Sequence, residues 1–402
     1  MVKREGRESM TGDIITNPLS ADEAARYSRH VLIPGVGLTG QNKLKMARVL
    51  VVGAGGLGSP VLQYLAAAGV GRIGILDGDS VSLSNLQRQT VHGTENIGKK
   101  KVASAAEALL RLNPHVSVIR HDEWLNAENA LRLFEDYDVV IDGSDNFETR
   151  FLISDACVAL GIPSIWGSVF QFSGQVSVFD NAYGPCYRCL YPEAPPLELA
   201  PSCSEGGVFG AVCGIVGSVM CAEAMKLILG VGKGLSGRVL TYNALTAETE
   251  VNLFDKRADC EGCGASRTAG FVGGAGAYCK VAPGGRANAT DALDGFALSR
   301  RLMDRELGLE DFELWDVRET SEWNEGHIEG AVNVPLTVIR EREATADGLP
   351  SKVVLYCLTG KRSLQAEKLL RALGVEGSSL VGGINSWHRL GLPLVNAGSD
   401  QG

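Results

Sequence analysis

Residues 48–58 read Arg-Val-Leu-Val-Val-Gly-Ala-Gly-Gly-Leu-Gly. Val49 to Val52 make a continuous aliphatic run, the pattern of a short parallel strand buried on both faces. The run ends in Gly53, Gly55 and Gly58 with G-x-G-x-x-G spacing, and Gly56 adds a further glycine to the same turn. Ser59 to Ala68 then lacks internal glycine, sets Val61, Leu62, Leu65 and Ala66 on one side and stops at Gly69, which predicts a helix. Glycines between strand and helix let the backbone approach a phosphate, where the helix N-terminus offers N–H groups and partial positive charge. The stretch is a nucleotide cradle.

The next predicted strand, Arg72 to Leu76, ends at Asp77, about where dinucleotide folds place the carboxylate that binds ribose hydroxyls. A nicotinamide dehydrogenase fits equally well up to this point. It is followed by D-G-D-S-V-S-L-S-N-L-Q-R-Q at 77–89 and by Lys99, Lys100 and Lys101. A nicotinamide ring needs an apolar face, whereas Asn85, Arg88, Gln89 and a lysine run suit a triphosphate. ATP is the expected ligand, with an NAD-dependent oxidoreductase as the alternative.

The chain of 402 residues is long for one core, so two domains are expected. A net charge of −9 and a pI near 5.3 argue against nucleic-acid or anionic-membrane partners, which need a concentrated basic field. Residues 1–20 are polar and mixed in charge, so a loose N-terminal tail over 1–19 is expected rather than a secretory leader. Gly206 to Ala222 is uncharged but carries five glycines, and reads as a buried helix rather than a membrane span. Ten cysteines without a leader point to a reducing compartment, and a cytoplasmic location is expected.

Ala21 to His30 reads as a helix, and from the residues alone Arg26 and Arg29 are a solvated pair on its surface. Val102–Leu112 and Asn129–Phe134 read as helices, Val116–His121 and Tyr137–Ile141 as strands, the last running into D-G-S-D-N at 142–146. This alternation makes a doubly wound α/β domain with a parallel sheet, whose ligands bind beyond the carboxyl ends of the strands. Asp142 and Asp145 lie at such an end. Two carboxylates beside a phosphate cradle suit Mg²⁺, and a turn in which Asp145 and Asn146 cap a helix around Glu148–Leu160 is the other reading.

Cys186 and Cys189 form one C-x₂-C pair, Cys260 and Cys263 another. Together they match a structural zinc site that would clip the end of this domain onto its middle; redox pairing and separate buried thiols are the alternatives. Cys203 lies on a Pro-rich loop beside a Gly-Gly turn, where a thiolate could be activated, while Cys157, Cys213 and Cys221 fall in apolar helical patterns as core residues.

Residues 265–289 are rich in Gly and Ala and read as a linker that carries Cys279. From residue 290 a second alternation begins, with a helix around Ala292–Met303 and strands Phe312–Trp315 and Val353–Tyr356. The last strand ends at Cys357, followed by L-T-G-K-R-S and a helix whose expected inner face is Leu364, Leu369, Leu370 and Leu373. A cysteine between strand end and helix start receives converging N–H groups and the helix dipole, here with Lys361 and Arg362 expected to add positive charge, so its thiol should ionise.

With these motifs assembled, residues from about 20 to 263 resemble the ubiquitin-activating (E1) superfamily in its bacterial molybdopterin-synthase-activating and thiamine-adenylyltransferase branch. The shared motifs are R-Y-S-R-H at 26–30, G-A-G-G-L-G-S at 53–59, L-D-G-D-S-V-S-L-S-N-L-Q-R-Q at 76–89, I-D-G-S-D-N at 141–146 and the paired C-x₂-C. Residues from about 290 to 396 resemble a rhodanese domain through D-V-R-E at 316–319, G-H-I-E-G-A-V-N-V-P at 326–335, C-L-T-G-K-R-S and G-G-I-N-S-W at 382–387. The implied organisation is a Rossmann-like E1 adenylation domain over 20–264 and a smaller α/β rhodanese domain over 290–396.

The resemblance implies that MgATP adenylylates the C-terminal glycine of a small ubiquitin-like sulfur-carrier protein ending in Gly-Gly, and that sulfur then displaces AMP to leave a thiocarboxylate. By position, Gly53, Gly55, Gly56 and Gly58 would cradle the nucleotide, Asp77 bind its ribose, Asn85, Arg88 and Lys101 its phosphates, and Asp145 the magnesium. Arg29 matches an arginine supplied to the neighbouring subunit's nucleotide, which implies a homodimer. Cys357 would carry the sulfur as a persulfide, drawn from a cysteine desulfurase or thiosulfate, and Cys203 matches a cysteine required in some relatives and dispensable in others. An E1-like activator for protein conjugation, with the rhodanese domain secondary, is the alternative within the same resemblance.

Overall fold

The computed structural model describes residues 19–180, 182, 184–193, 207–265, 293–341, 348–390 and 392–395. All but the last residue of the expected N-terminal tail, Cys203, Cys279 and all but the first residue of the expected linker lie outside these. The chain divides into two compact units, Met1–Lys280 and Val281–Gly402.

The first unit is built on one eight-stranded sheet. In chain order its strands are β1 (Arg48–Val52), β2 (Arg72–Leu76), β3 (Ser117–His121), β4 (Val139–Asp142), β5 (Ser164–Phe170), β6 (Ser173–Phe179), β7 (Arg238–Asn243) and β8 (Glu248–Leu253). They lie side by side as β3-β2-β1-β4-β5-β6-β7-β8, parallel from β3 to β5 and antiparallel from there to β8. The apolar run of β1 has its cause in this position. Val49 and Val51 enter one core, with helices Gly58–Ala68, Lys101–Leu112 and Gly210–Leu229, and Leu50 and Val52 enter another, with Ala130–Phe134 and Phe147–Leu160. Both faces are covered, so no residue of β1 after Arg48 can be polar.

The order reverses between β1 and β4, because the chain winds outward to β2 and β3 and then returns to β4 on the other side. In register, Val52 pairs with Leu76 and with Asp142, which brings the carboxyl ends of β1, β2 and β4 level. A crevice opens there, as at other switch points of doubly wound sheets.

Two expectations about helices change. The N-terminal helix is broken into Ala21–Arg26 and Ser28–Val31 at Tyr27, whose buried hydroxyl accepts a hydrogen bond from Asn113 Nδ2 at 2.8 Å. Helix Gly210–Leu229 runs well beyond the apolar stretch that announced it, and is long and apolar enough to cross a membrane by length and composition. Val212, Cys213, Val216, Met220, Cys221 and Ala224 are buried in the same core as Val49 and Val51, which makes it a core helix of the sheet.

The second unit holds a four-stranded parallel sheet in the order β10-β9-β11-β12, made of β9 (Glu313–Asp316), β10 (Ala331–Asn333), β11 (Lys352–Tyr356) and β12 (Glu376–Ser379). Its sheet is again covered on both faces, with Val354 and Tyr356 in one core and Val353, Leu355 and Cys357 in the other. Helix Lys361–Ala372 follows the Cys357 loop, but its inner face is Ser363, Ala366 and Leu370. Leu364 is 51% exposed and Leu369 39%, with Leu373 half-buried, so of the four leucines expected inside only Leu370 is buried. Small residues at 363 and 366 let the helix start lie close under the loop, which a leucine there would prevent.

Leu370→Ala should therefore destabilise the second unit by about 2–5 kcal/mol, while Leu364→Ala should stay within about 0.5 kcal/mol of the parent. Calorimetric unfolding of the full chain checks this; equal losses for the two would contradict the assigned face.

Candidate functional site

The crevice at the β1–β4 switch point is shaped first by glycine. Gly53 has φ +91°, and a Cβ there would lie 2.9 Å from the Gly143 carbonyl oxygen; a Cβ on Gly58 would lie 1.9 Å from the Gly53 carbonyl oxygen. No side chain fits at either position. The Gly53 N–H donates to Leu76 O at 2.8 Å and the Gly143 N–H to Val52 O at 2.9 Å, so the three strand ends are tied together at the crevice floor.

Asp77 closes the end of β2. Its Oδ2 accepts from the Ala54 N–H and its Oδ1 from the Asp79 N–H, both at 2.8 Å, which fixes the carboxylate against the glycine turn. Lys101 is buried at the start of its helix with Nζ 2.8 Å from Asp79 Oδ2 and 3.9 Å from Asp77 Oδ2. His92 supports the turn from behind, Nε2 lying 2.9 Å from Ala54 O and Nδ1 2.9 Å from Ser104 Oγ. A carbonyl can only accept, so the proton sits on Nε2, and burial keeps the imidazole pKa below its ordinary range.

Asp77, Lys101, Arg88, Gln89, Asp145 and the glycines 53, 55 and 56 line one crevice. Arg88 is half-buried, donates from Nη1 to Ser84 O at 3.1 Å and rests its stem near Gly56. Gln89 is buried with an Oε1 that has no hydrogen-bond partner. Asn85 does not line the crevice. Its carbonyl accepts from the Arg88 and Gln89 N–H groups at 3.1 and 2.9 Å, and its side chain accepts from the Ser82 N–H, so it shapes the turn that presents its neighbours. Gly58 lies behind the floor, and Arg29 is exposed on helix Ser28–Val31 away from its own chain's crevice.

The two aspartates after β4 separate. Asn146 caps helix Phe147–Leu160, its Oδ1 accepting from the Thr149 N–H at 2.9 Å, and Asp145 lines the crevice. Asp142, paired with Asp145 for magnesium on sequence grounds, faces inward. Its Oδ1 accepts from the Ser144 N–H at 3.0 Å and the Ser144 hydroxyl at 2.6 Å, and burial pushes its pKa up to about 6 against the lowering effect of Arg150.

Trp124, Leu125 and Arg150 also line the crevice and were not anticipated. Trp124 is 64% exposed with its ring against Gly78, a flat surface on which a planar base can stack. Its position just past β3 was a usable signal, because ligand contacts gather at carboxyl ends of such strands.

Far from the sequence neighbourhood of the glycines, Cys186, Cys189, Cys260 and Cys263 bring their sulfurs within 4.8 Å of one another. The Sγ–Sγ distances are 3.9 Å for Cys186–Cys189, 3.5 Å for Cys186–Cys260 and 3.5 Å for Cys189–Cys263. A tetrahedron with Zn–S bonds of about 2.3 Å has edges of about 3.8 Å, whereas a disulfide needs about 2.05 Å. The spacing fits four thiolates around a metal such as zinc. The forked ion pair Arg188–Asp155, at 2.8 Å on both arms, is buried beside the clip.

In the second unit Cys357 is buried at the end of β11. The Gly360 N–H donates to its Sγ at 3.1 Å, and the Ser363 hydroxyl, which in turn accepts from Ser379 Oγ at 2.7 Å, lies 3.6 Å away. Burial raises the thiol pKa, but the N–H groups of Ser363, Thr359 and Arg362 and the Ser363 hydroxyl outweigh it, and the net direction is downward. The side-chain cations expected to contribute are not among the leading causes, and Arg362 adds to them only through space. Arg362 is turned onto Glu322, and Lys361 is exposed. Gly383 seals the cup from below, since a Cβ there would lie 2.2 Å from Cys357 O.

Against known proteins, residues 27–263 match the ThiF family and residues 299–390 the rhodanese-like domain. The chain belongs to the ThiF family. It is similar to a Mycobacterium tuberculosis protein described as probable adenylyltransferase/sulfurtransferase MoeZ, 44% identical over 92% of this chain and 94% of that one. A Thermus thermophilus sulfur carrier protein adenylyltransferase is 49% identical over 60% of this chain and 92% of its own length. The solved structure of Escherichia coli MccB shares the fold of the ThiF unit, with a TM-score of 0.55 at 22% identity over 61% of this chain and 74% of that one. This ThiF-family chain is accordingly an enzyme of the adenylyltransferase and sulfurtransferase class.

The lowered pKa of Cys357 should show in its alkylation by iodoacetamide. The pH of half-maximal rate should fall below the ordinary thiol value of about 8.5. Ser363→Ala should shift that midpoint upward. Peptide mass spectrometry across the pH series checks it, and a midpoint at or above the ordinary value would contradict the N–H account.

Proposed function

We propose that the ThiF unit uses MgATP to adenylylate the C-terminal glycine of a small ubiquitin-like sulfur-carrier protein ending in Gly-Gly, and that the rhodanese-like unit supplies the sulfur that turns it into a thiocarboxylate. What carries the reading is one crevice that gathers a glycine cradle, Asp77, Arg88, Lys101 and Asp145, in a chain that also holds the stabilised thiolate of Cys357. The carrier carboxylate would attack the α-phosphorus, forming an O–P bond while the bond to pyrophosphate breaks. That is an anion approaching an anion, and Arg88 and Lys101 are the groups suited to screen it and to stabilise charge on the departing pyrophosphate. Asp77 would bind the ribose and Asp145 would hold the magnesium with phosphate oxygens and waters. Exposed Arg29 would serve the crevice of a second copy, making the active form a homodimer.

In the second stage Cys357 would carry a persulfide whose terminal sulfur attacks the acyl carbon, AMP leaving with the bonding pair. A second thiol must then break the S–S bond to free the thiocarboxylate. Cys203, outside the described residues, would take that role or hold the acyl group as a thioester. The upstream donor would be a cysteine desulfurase or thiosulfate, and the reducing chemistry fits the cytoplasm. Zinc on Cys186, Cys189, Cys260 and Cys263 would be structural, since four thiolates leave no open position for substrate.

ATP–pyrophosphate exchange with Gly-Gly-ending carriers tests the first stage. Arg88→Ala should slow exchange roughly a hundredfold to a thousandfold, the usual cost of one preorganised transition-state contact, while sulfur loading of Cys357 persists. Loss of both activities in Arg88→Ala would defeat the two-site scheme. Protein purified without chelators should contain one zinc per chain, and Cys263→Ser should lose it and lower the melting temperature of the ThiF unit; metal-free parent protein of unchanged stability would contradict a structural zinc.

A further inference from the structure

Arg362 belongs to the loop that carries Cys357, and Arg318 follows Val317, whose N–H donates to Tyr356 O just before that loop; both arginines are already engaged by carboxylates. Arg318 grips Asp316 with Nη2 at 2.6 Å and Nε at 2.9 Å from Oδ2. Arg362 forks onto Glu322, Nη1 to Oε2 at 2.6 Å and Nη2 to Oε1 at 2.7 Å. Arg362 also aims its own backbone N–H at the sulfur, while Glu322 chiefly pushes its guanidinium pKa up. Glu322 is itself held below the ordinary carboxylate range, first by that same hydrogen bond. Both partners are about a third exposed, close enough to solvent for an arriving donor to meet them. The thiolate is held by N–H and hydroxyl dipoles instead, which carry no net charge.

This matters for the charge of the sulfur donor. Thiosulfate brings two negative charges to a site that already holds one, and its sulfonate end needs a cation with unused donors. The fork of Arg362 is taken up by Glu322 and the pair as a whole is nearly neutral, so the N–H donors that remain carry little net attraction for a dianion. We propose that Glu322 is a donor-selecting residue: by holding the charge and the fork of Arg362, it sets the cup against dianionic sulfane-sulfur donors and in favour of those that leave behind a singly charged group, of which a thiol persulfide is the simplest. The inference rests on the sulfurtransferase reading of Cys357 and adds the class of donor to it.

The chemistry balances for each donor. The Cys357 thiolate attacks the terminal sulfur, a new S–S bond forms, the donor's bond to that sulfur breaks, and the leaving group takes the electron pair. Thiosulfate releases sulfite with two charges, methanethiosulfonate releases methanesulfinate with one, and a thiol persulfide releases a thiolate with one. In each case Cys357 is left as an anionic persulfide, and cyanide removes the sulfur as thiocyanate and returns the thiolate.

Methanethiosulfonate and thiosulfate differ in charge but deliver the same sulfur, so the ratio of their kcat/KM values with cyanide as acceptor reads the selection directly. Intact mass of the wild-type full chain comes first. If neither donor adds one sulfur at Cys357, the sulfurtransferase reading falls and this inference with it. In Glu322→Gln the amide keeps the size and one acceptor for Arg362 while removing the charge. The thiosulfate-to-methanethiosulfonate ratio should then rise about tenfold, one charge-assisted contact's worth, mainly through a lower KM for thiosulfate. Adding Arg362→Gln to that variant should return the ratio to the wild-type value. Glu322→Ala provides a second removal of the charge and should raise the ratio in the same direction. Sulfur loading that proceeds with an unchanged ratio in both Glu322 variants overturns the inference and leaves the sulfurtransferase reading standing. So does an equal slowing of both donors, the signature of a residue that only supports the loop.

Discussion

Everything in the ThiF unit's crevice depends on the contact between two pieces of backbone, Gly58 against the Gly53 carbonyl. A methyl group on Gly58 would lie 1.9 Å from that oxygen, so the first turn of helix Gly58–Ala68 can sit on the end of β1 only because no side chain intervenes. That approach points the helix N-terminus at the crevice and leaves the N–H groups of the turn available for phosphate oxygens. The surrounding groups are placed relative to it. Asp77 is anchored on the Ala54 N–H, His92 on the Ala54 carbonyl, and Lys101 on the carboxylates of Asp77 and Asp79. A shift of the glycine turn would displace all of them together.

The two units handle negative charge by different means. At the crevice, where two anions are proposed to react, cationic side chains stand along the wall. At Cys357 the thiolate is held by converging dipoles, and the nearby guanidinium groups are neutralised by Glu322 and Asp316. Dipoles can stabilise one small anion at short range but offer little to a second anion approaching from outside, whereas an unpaired guanidinium attracts both. The same loop of seven residues would have a different electrostatic character if Glu322 were neutral.

The cysteine clip adds a mechanical constraint. Helix Tyr187–Leu190 and the turn carrying Cys260 and Cys263 are distant in sequence, and the sulfurs meet at tetrahedral spacing beside the buried Arg188–Asp155 pair. A closed shell of thiolates can tie such segments together without taking part in chemistry. A metal held there would fasten the part of the unit that follows the antiparallel strands to the neighbourhood of helix Phe147–Leu160, which the Arg188–Asp155 pair joins and whose N-terminus presents Asp145.

The sequence by itself determined the elements whose cause is local. β1 and β11 are legible as buried strands because both of their faces are covered, which requires an uninterrupted apolar run, and the glycine spacing after β1 admits one turn geometry. Asp77, Asp145 and Cys357, set just past strand ends, could be singled out for the same reason, and Arg88 and Lys101 from the polar segment that follows Asp77. Tertiary structure alone decided the rest. In the antiparallel extension, β6 pairs with β7 across a long intervening helix, and no periodicity announces such partners. Asp142 and Asp145 differ by one turn of backbone, and only the burial of one against Ser144 and the capping by Asn146 send the other to the crevice. Helix Lys361–Ala372 turned its small residues inward because the Cys357 loop must lie close to its first turn, overriding the leucine pattern. The partner of Arg362 is a carboxylate on a different helix, chosen by where β9 and β11 end side by side in the sheet. Charge in a chain is countable from residues, but which charge remains available to a ligand is set by pairing across elements, and that is a property of the folded arrangement.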